Sequence, residues 1–147
     1  MSKWYLAPLL ALCAGPVFAA DCAVTVEAND AMQYNTKSID VPASCTDFSV
    51  TLKHVGKLPK ASMGHNWVLS LPADEPAITA EAIKAGAAND YLKADDPRII
   101  AHTKMLGGGE SDTVTFPVSK LKAGEGYMFF CSFPGHAALM KGTLTVK

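Results

Sequence analysis

The chain lacks a dominant charge: 13 lysines and arginines stand against 14 aspartates and glutamates in 147 residues. That balance excludes a nucleic-acid binder run on bulk charge, and an apolar share of 49% excludes a disordered tail. The chain also lacks internal repeats, low-complexity linkers and any uninterrupted apolar run of the roughly 20 residues that a membrane span needs. The nearest approach, Trp4 to Phe18, follows Ser2 and Lys3, is broken by Gly15-Pro16 and ends in Val17-Phe18-Ala19. It has the form of a secretory signal peptide over residues 1–19, cleaved after Ala19. The mature product is then residues 20–147, one soluble domain without a membrane attachment. A lipid anchor is disfavoured because Leu12 precedes Cys13 and Asp21 precedes Cys22, where a lipoprotein signal needs a small residue. Loss of Lys3 moves the formal net charge only from -1 to -2, which steers no particular partner.

Cysteine and histidine are scarce, at four each. Cys13 leaves with the leader, so the exported domain keeps Cys22, Cys45 and Cys131, an odd count that asks for an explanation. In an oxidising compartment two cysteines tend to pair, and Cys22 with Cys45 closes a loop early in the mature chain, leaving Cys131 as the spare thiol. Taken alone, a spare cysteine is a small buried hydrophobe.

What is present is a series of short strands separated by turn formers. They are expected at Ala23 to Glu27, Ser38 to Val41, Phe48 to His54, His65 to Leu71, Asp112 to Val118, Gly126 to Cys131 and Gly142 to Lys147. Pro42 and Pro117 belong at strand ends. The alanine-rich stretch Pro76 to Ala88 favours one inserted helix, and Gly107-Gly108-Gly109, with no helix start after it, predicts a hairpin turn rather than a phosphate loop. Seven or eight such strands make an all-β, Greek-key β-sandwich. Counting by twos puts Phe48, Val50, Leu52 and His54 on one face of their strand, and His65, Trp67, Leu69 and Leu71 on one face of theirs.

The chemistry is concentrated between Phe129 and Met140, where Cys131, His136 and Met140 stand at the spacing C-x4-H-x3-M. Pro134-Gly135 turns the chain, so a thiol at a strand end and an imidazole on a loop can converge. Sulfur donors suit copper(I), imidazole suits both copper states, and two histidines with one thiolate and a long axial methionine form a blue-copper electron-transfer site. Each residue singly is better explained as filler, but their joint occurrence is not. A second histidine must come from His54, His65 or His102. His102, after Ile99-Ile100-Ala101, has the setting of a solvated residue, and the pattern favours His65 over His54 because Gly64 would let backbone approach a metal.

Met63-Gly64-His65-Asn66-Trp67-Val68-Leu69-Ser70, Asp90-Tyr91-Leu92-Lys93, Ile100-Ala101-His102-Thr103-Lys104 and Tyr127 through Leu144 together closely resemble the azurins, small periplasmic blue-copper proteins of bacteria in the cupredoxin family. The resemblance runs over the whole mature chain. It implies one copper ion cycling between Cu(I) and Cu(II), with His65, Cys131 and His136 in a plane, Met140 on one axis and the Gly64 carbonyl on the other. It implies a Cys22–Cys45 disulfide, an eight-stranded sandwich with Trp67 in its core, and His54 as a buried bystander. Asn66 and the Phe133 backbone amide are implied as hydrogen-bond donors to the thiolate. Met32, Leu58, Met63, Phe133, Pro134, Ala138 and Leu139 are implied as an apolar face around His136 where redox partners dock. Such partners are c-type cytochromes or a periplasmic reductase or dehydrogenase, met by a monomer. Ser62 departs from the apolar residue usual before Met63.

Other classes fit less well. A thiol hydrolase would need an oxyanion-hole loop and an orienting third residue, neither of which is evident. A copper reductase would need a second metal site that four histidines do not furnish. A copper store would favour exposed ligands, and Met32, Met63, Met105, Met128 and Met140 form no methionine-rich run.

Overall fold

Alternation builds the strand on which the first sheet is centred: Phe48, Val50, Leu52 and His54 are buried, while Asp47 and Lys53 face solvent. In the computed structural model, which describes residues 21–147, nine strands form. The expected leader and Cys13 lie outside the described residues. The strands are β1 (Ala23–Asn29), β2 (Gln33–Tyr34), β3 (Ser38–Val41), β4 (Asp47–His54) and β5 (Val68–Ser70), followed by β6 (Ala101–His102), β7 (Ser111–Pro117), β8 (Gly126–Phe130) and β9 (Lys141–Val146). They make two sheets, ordered β2-β1-β4-β7 and β3-β9-β8-β5-β6. β1 runs parallel to β4 and β3 parallel to β9. The chain can join β1 to a parallel neighbour because it visits the other sheet as β3 in between, a crossover of the Greek-key kind.

The expectation of a mostly β sandwich with one inserted helix holds. Helix α2 spans Glu75–Ala85, and a single helical turn α1 (Lys60–Met63) precedes it. The helix stops three residues short of the expected Ala88, because Gly86 takes φ +73°, a left-handed conformation that Gly adopts without the cost of a Cβ clash. The core between the sheets gathers Val26, Phe48, Val50 and Leu52 from one side and Trp67, Leu69, Phe129 and Leu144 from the other. Trp67 is fully buried between Phe116 and Phe129, and its Nε1–H is the one buried side-chain polar atom without a partner among the described residues.

Two expectations need correction. His65, Trp67, Leu69 and Leu71 were expected on one face of a strand from His65 to Leu71, yet the strand is Val68–Ser70, every residue from His65 to Ser70 is buried and Leu71 is 37% exposed. The reason is that the outer side of β5 is covered too: Val68 packs with Ile78 of α2, Leu92 and Phe130. Gly107-Gly108-Gly109 does turn the chain, but it joins an edge of one sheet to β7 in the other and closes no hairpin. It packs instead on the segment after β4, with the Gly108 N–H on the Leu58 carbonyl at 2.9 Å and the Gly109 N–H on that of His54 at 2.9 Å. The nine strands among the described residues accord with the expected sandwich of about eight.

Cys22 and Cys45 form a disulfide that ties the start of β1 to the connection between β3 and β4. It lies among core residues well removed in sequence from His65 and Cys131. Closing a loop over a sequence separation of 23 residues restricts the unfolded chain by about 3 kcal/mol. The double variant Cys22→Ala/Cys45→Ala is therefore expected to lose about that much stability in urea titrations while keeping the absorption of the copper-loaded parent. A changed copper spectrum would mean that the two ends of the sandwich are coupled.

Candidate metal centre

Three separate elements deliver the donors. His65 sits just before β5, pinned to Leu106 by a pair of backbone hydrogen bonds of 3.0 and 2.7 Å. Cys131 immediately follows β8, and its N–H is held by the Met140 carbonyl at 3.0 Å. His136 opens a short 3-10 turn, His136–Ala138, after Gly135 takes φ +82°. The Met140 N–H returns to the His136 carbonyl at 2.8 Å, so the loop is braced by its own backbone.

The result is a cluster of His65, Cys131 and His136, all buried, whose donor atoms lie within 4.8 Å of one another. Cys131 Sγ is 4.0 Å from His65 Nδ1 and 3.7 Å from His136 Nδ1. A sulfur and an imidazole nitrogen bound at about 2.3 and 2.0 Å to one ion in a trigonal plane stand about 3.7 Å apart, so the spacing suits a single metal ion. Orientation agrees. His65 Nε2 lies 2.9 Å from the Asn29 carbonyl, which can only accept; Nε2 therefore carries the proton and Nδ1 turns its lone pair inward.

Burial sets the protonation states. It is the main reason that His65 falls to about 4 and that His136 is lowered too, so both imidazoles are neutral and available as donors near pH 7. It also pushes the Cys131 thiol up to about 12, against hydrogen bonds from the backbone amides of Asn66 and Phe133 that favour the thiolate. The pocket thus prefers neutral groups until a cation displaces the thiol proton.

The other candidate residues are distributed as follows. The Gly64 carbonyl lies 3.8 Å from Cys131 Sγ, and Met140 is fully buried. Gly64 has φ -66°, so it is needed for space rather than conformation: a Cβ would stand 2.6 Å from the Lys60 carbonyl oxygen. His54 stacks on the His65 ring at 4.4 Å but is outside the donor cluster, because both its nitrogens are engaged. Its Nε2–H donates to the Met63 carbonyl at 2.8 Å and its Nδ1 accepts from the Gly56 N–H at 3.1 Å. His102 is exposed on β6. Phe133 lies with its ring 4.4 Å from that of His136.

Three participants had no signal in the sequence. Asn29 acts through its carbonyl, which any residue possesses. Ser132 takes both ends of the Asn66 side-chain amide, its N–H on Oδ1 at 2.8 Å and its hydroxyl on Nδ2 at 2.8 Å. The buried Tyr34 hydroxyl donates to the Asn66 carbonyl.

Residues 20–147 match the family of copper-binding proteins described as plastocyanin/azurin. The chain belongs to this family. It is 58% identical over 139 residues to an azurin of Pseudomonas aeruginosa, covering 95% of this chain and 94% of that one. It is 58% identical over 147 residues to an azurin of Achromobacter denitrificans, 100% and 99% covered. An azurin-2 of Alcaligenes xylosoxydans xylosoxydans is 62% identical over 125 residues, with 85% and 97% covered. The family is one of copper-binding proteins, and His65, Cys131 and His136 are the residues described here that could hold a metal ion.

The lowered imidazoles have a consequence for the metal-free protein. Below the ordinary value of 6.5 an unfolded chain protonates His65, whereas the folded chain refuses that proton until about pH 4. The unfolded state binds more protons in this window, so stability falls with acid, by about 2 kcal/mol between pH 6.5 and 5. His136 is shifted in the same direction and adds to the loss. Urea midpoints of the metal-free protein across this range, with His65→Gly as the control of shallower slope, measure it. Constant midpoints would contradict the assigned protonation states.

Proposed function

We propose that His65, Cys131 and His136 would hold one copper ion, with the Met140 thioether and the Gly64 carbonyl as further donors. Copper so held supplies one-electron chemistry, cycling between Cu(I) and Cu(II), and the protein serves as an electron carrier rather than an enzyme. The observation that carries this reading is the closed donor set: a thiol between two inward-facing imidazole nitrogens, with relative exposures of 0% for His65 and Cys131 and 4% for His136. Soft sulfur and imidazole together suit both copper states. A copper store would keep its ligands open for exchange, and these are sealed.

His136, the one donor of the three with any exposure, points to where electrons pass. Around it we place the partner face of Met32, Leu58, Met63, Phe133, Pro134, Ala138 and Leu139. Leu58 and Leu139 are 41% and 59% exposed, and Met32, Met63, Phe133 and Pro134 are half-buried. A small apolar face suits a carrier that must leave quickly. The partners we infer are c-type cytochromes or a periplasmic reductase or dehydrogenase, met in the periplasm after removal of residues 1–19. A structural disulfide between Cys22 and Cys45 fits that compartment.

Two substitutions test the reading. Cys131→Ser keeps the volume of the side chain and is expected to fold, yet to lose the intense visible band of a copper–thiolate site. A Cys131→Ser protein that stayed blue would refute the ligand assignment. Met63→Lys alters only a side chain, since the His54 contact is to the Met63 carbonyl. It should leave absorption unchanged and slow both electron self-exchange and transfer to a cytochrome, with self-exchange suffering most at low salt, where two added like charges meet. Equal rates in variant and parent at every ionic strength would place electron exchange on another face.

A further inference from the structure

Asp30, in the turn between β1 and β2, fastens the segment after β4 to the residue that orients His65. Its Oδ2 accepts the Lys57 N–H at 2.8 Å and its Oδ1 accepts the Leu58 N–H at 3.3 Å. Gly56 passes so close beneath that a Cβ there would stand 2.1 Å from Asp30 Oδ1. One residue before, the Asn29 carbonyl receives the His65 Nε2–H at 2.9 Å. The carboxylate is also near the cluster electrically, with Oδ1 3.9 Å from Nε2 of His54, whose ring stacks on that of His65. It stays ionised at neutral pH, held below the usual aspartate range chiefly by the Lys57 N–H.

We propose that Asp30 is a positioning and tuning residue of the copper centre: it holds the Asn29 carbonyl against His65, and its negative charge favours the oxidised, more positive state. The inference rests on the ligand assignment proposed above. The two roles are separable because one depends on shape and the other on charge. The shape role arises because the turn 29–32 has few other ties to the 56–58 segment. Asn29 uses its own side chain locally, Oδ1 accepting the Ala31 N–H at 2.9 Å, so the contact to Lys57 and Leu58 falls to Asp30. The charge role follows from Coulomb attraction through a partly protein, partly solvent medium, the Asp30 side chain being 33% exposed.

The test compares the copper-loaded full chain with Asp30→Asn and Asp30→Ala. Asp30→Asn keeps the shape and an acceptor for the Lys57 N–H but removes the charge. Its visible band should match the parent, while its reduction potential should shift upward, by an increment that shrinks as salt is added. Asp30→Ala removes the clasp, so in the metal-free protein the His65 Nε2–H should exchange with solvent about tenfold faster by NMR, the factor carried by 1.4 kcal/mol of lost restraint. A potential in Asp30→Asn equal to or below that of the parent overturns the proposal, as does unchanged Nε2–H exchange in Asp30→Ala. Lower unfolding temperatures alone would reduce Asp30 to an ordinary turn residue, which also overturns it. Should Asp30→Ala fail to fold, the potential of Asp30→Asn still decides. A parent without a blue band would instead sink the ligand assignment, and the two failures are thereby distinguished.

Discussion

The metal end of the molecule depends on one pairing, that of the Asn66 side chain with Ser132. Oδ1 accepts the Ser132 N–H and the Nδ2–H donates to its hydroxyl, both at 2.8 Å and both buried, so two segments 66 residues apart in sequence are joined by two hydrogen bonds. Their position is not accidental. β5 and β8 pair with Val68 opposite Phe130 and Leu69 opposite Phe129, and the same register continued past the strand ends sets Asn66 opposite Ser132. His65 and Cys131 flank that pair, one on each segment. A slip of one residue would turn every side chain to the wrong face, and would separate the donors as surely as deleting one. Breaking the pair chemically would leave buried amide groups without partners, at about 1–3 kcal/mol each. Asn66 binds a third segment as well, since its carbonyl accepts the Tyr34 hydroxyl.

How much of this could be read from the residues alone follows from where the information resides. The pairing of Cys131 with His136 was legible because the two stand close in sequence and each brings a distinctive atom. The faces of β4 were legible because one side of that strand is buried and the other is not. β5 misled for the opposite reason: alternation vanishes when a helix covers the second face, and Val68 and Ser70 are as buried as Trp67 and Leu69. β2 and β6, two residues each, are too short to carry any period. The pattern favoured His65 over His54 only through Gly64, because both histidines end apolar faces. Hydrogen bonding points the same way, since His54 spends both nitrogens on backbone and His65 spends only one. Asn29 could not have been found at all, because a carbonyl leaves no trace in residue type.

Backbone rather than side chain does most of the orienting around the donors, which suits a centre that must not rearrange. The Asn29 carbonyl fixes the tautomer of His65, the Gly64 carbonyl approaches the sulfur, and the amides of Asn66 and Phe133 point at it. Such groups are fixed by strand and loop geometry and have no rotamers to lose. Close glycine packing extends the same rigidity outward: Gly108 lies against Lys57, where a Cβ would meet the backbone carbon at 2.6 Å. The connection after β4 is thereby held from both sides, by glycine on one and by a carboxylate on the other.

Burial then imposes a direction on the chemistry. All three donors are driven towards their uncharged forms, as the lowered histidines and the raised thiol show. In the site as proposed, one thiolate and two neutral imidazoles would carry a single negative charge, matching Cu(I) and leaving one positive charge of Cu(II) uncompensated. A dry pocket penalises net charge, so burial by itself favours the reduced state. The amides aimed at the sulfur favour it further, because they stabilise negative charge on the thiolate and so weaken its donation to Cu(II). What acts the other way must be negative and must lie outside the donor set. At the edge of the cluster the Asp30 carboxylate, 3.9 Å from His54 Nε2, is accessible enough to remain ionised and, as proposed, would act in this direction. On that proposal the working potential would be a balance between the depth at which the donors are buried and the few charges that the surrounding loops hold at the rim.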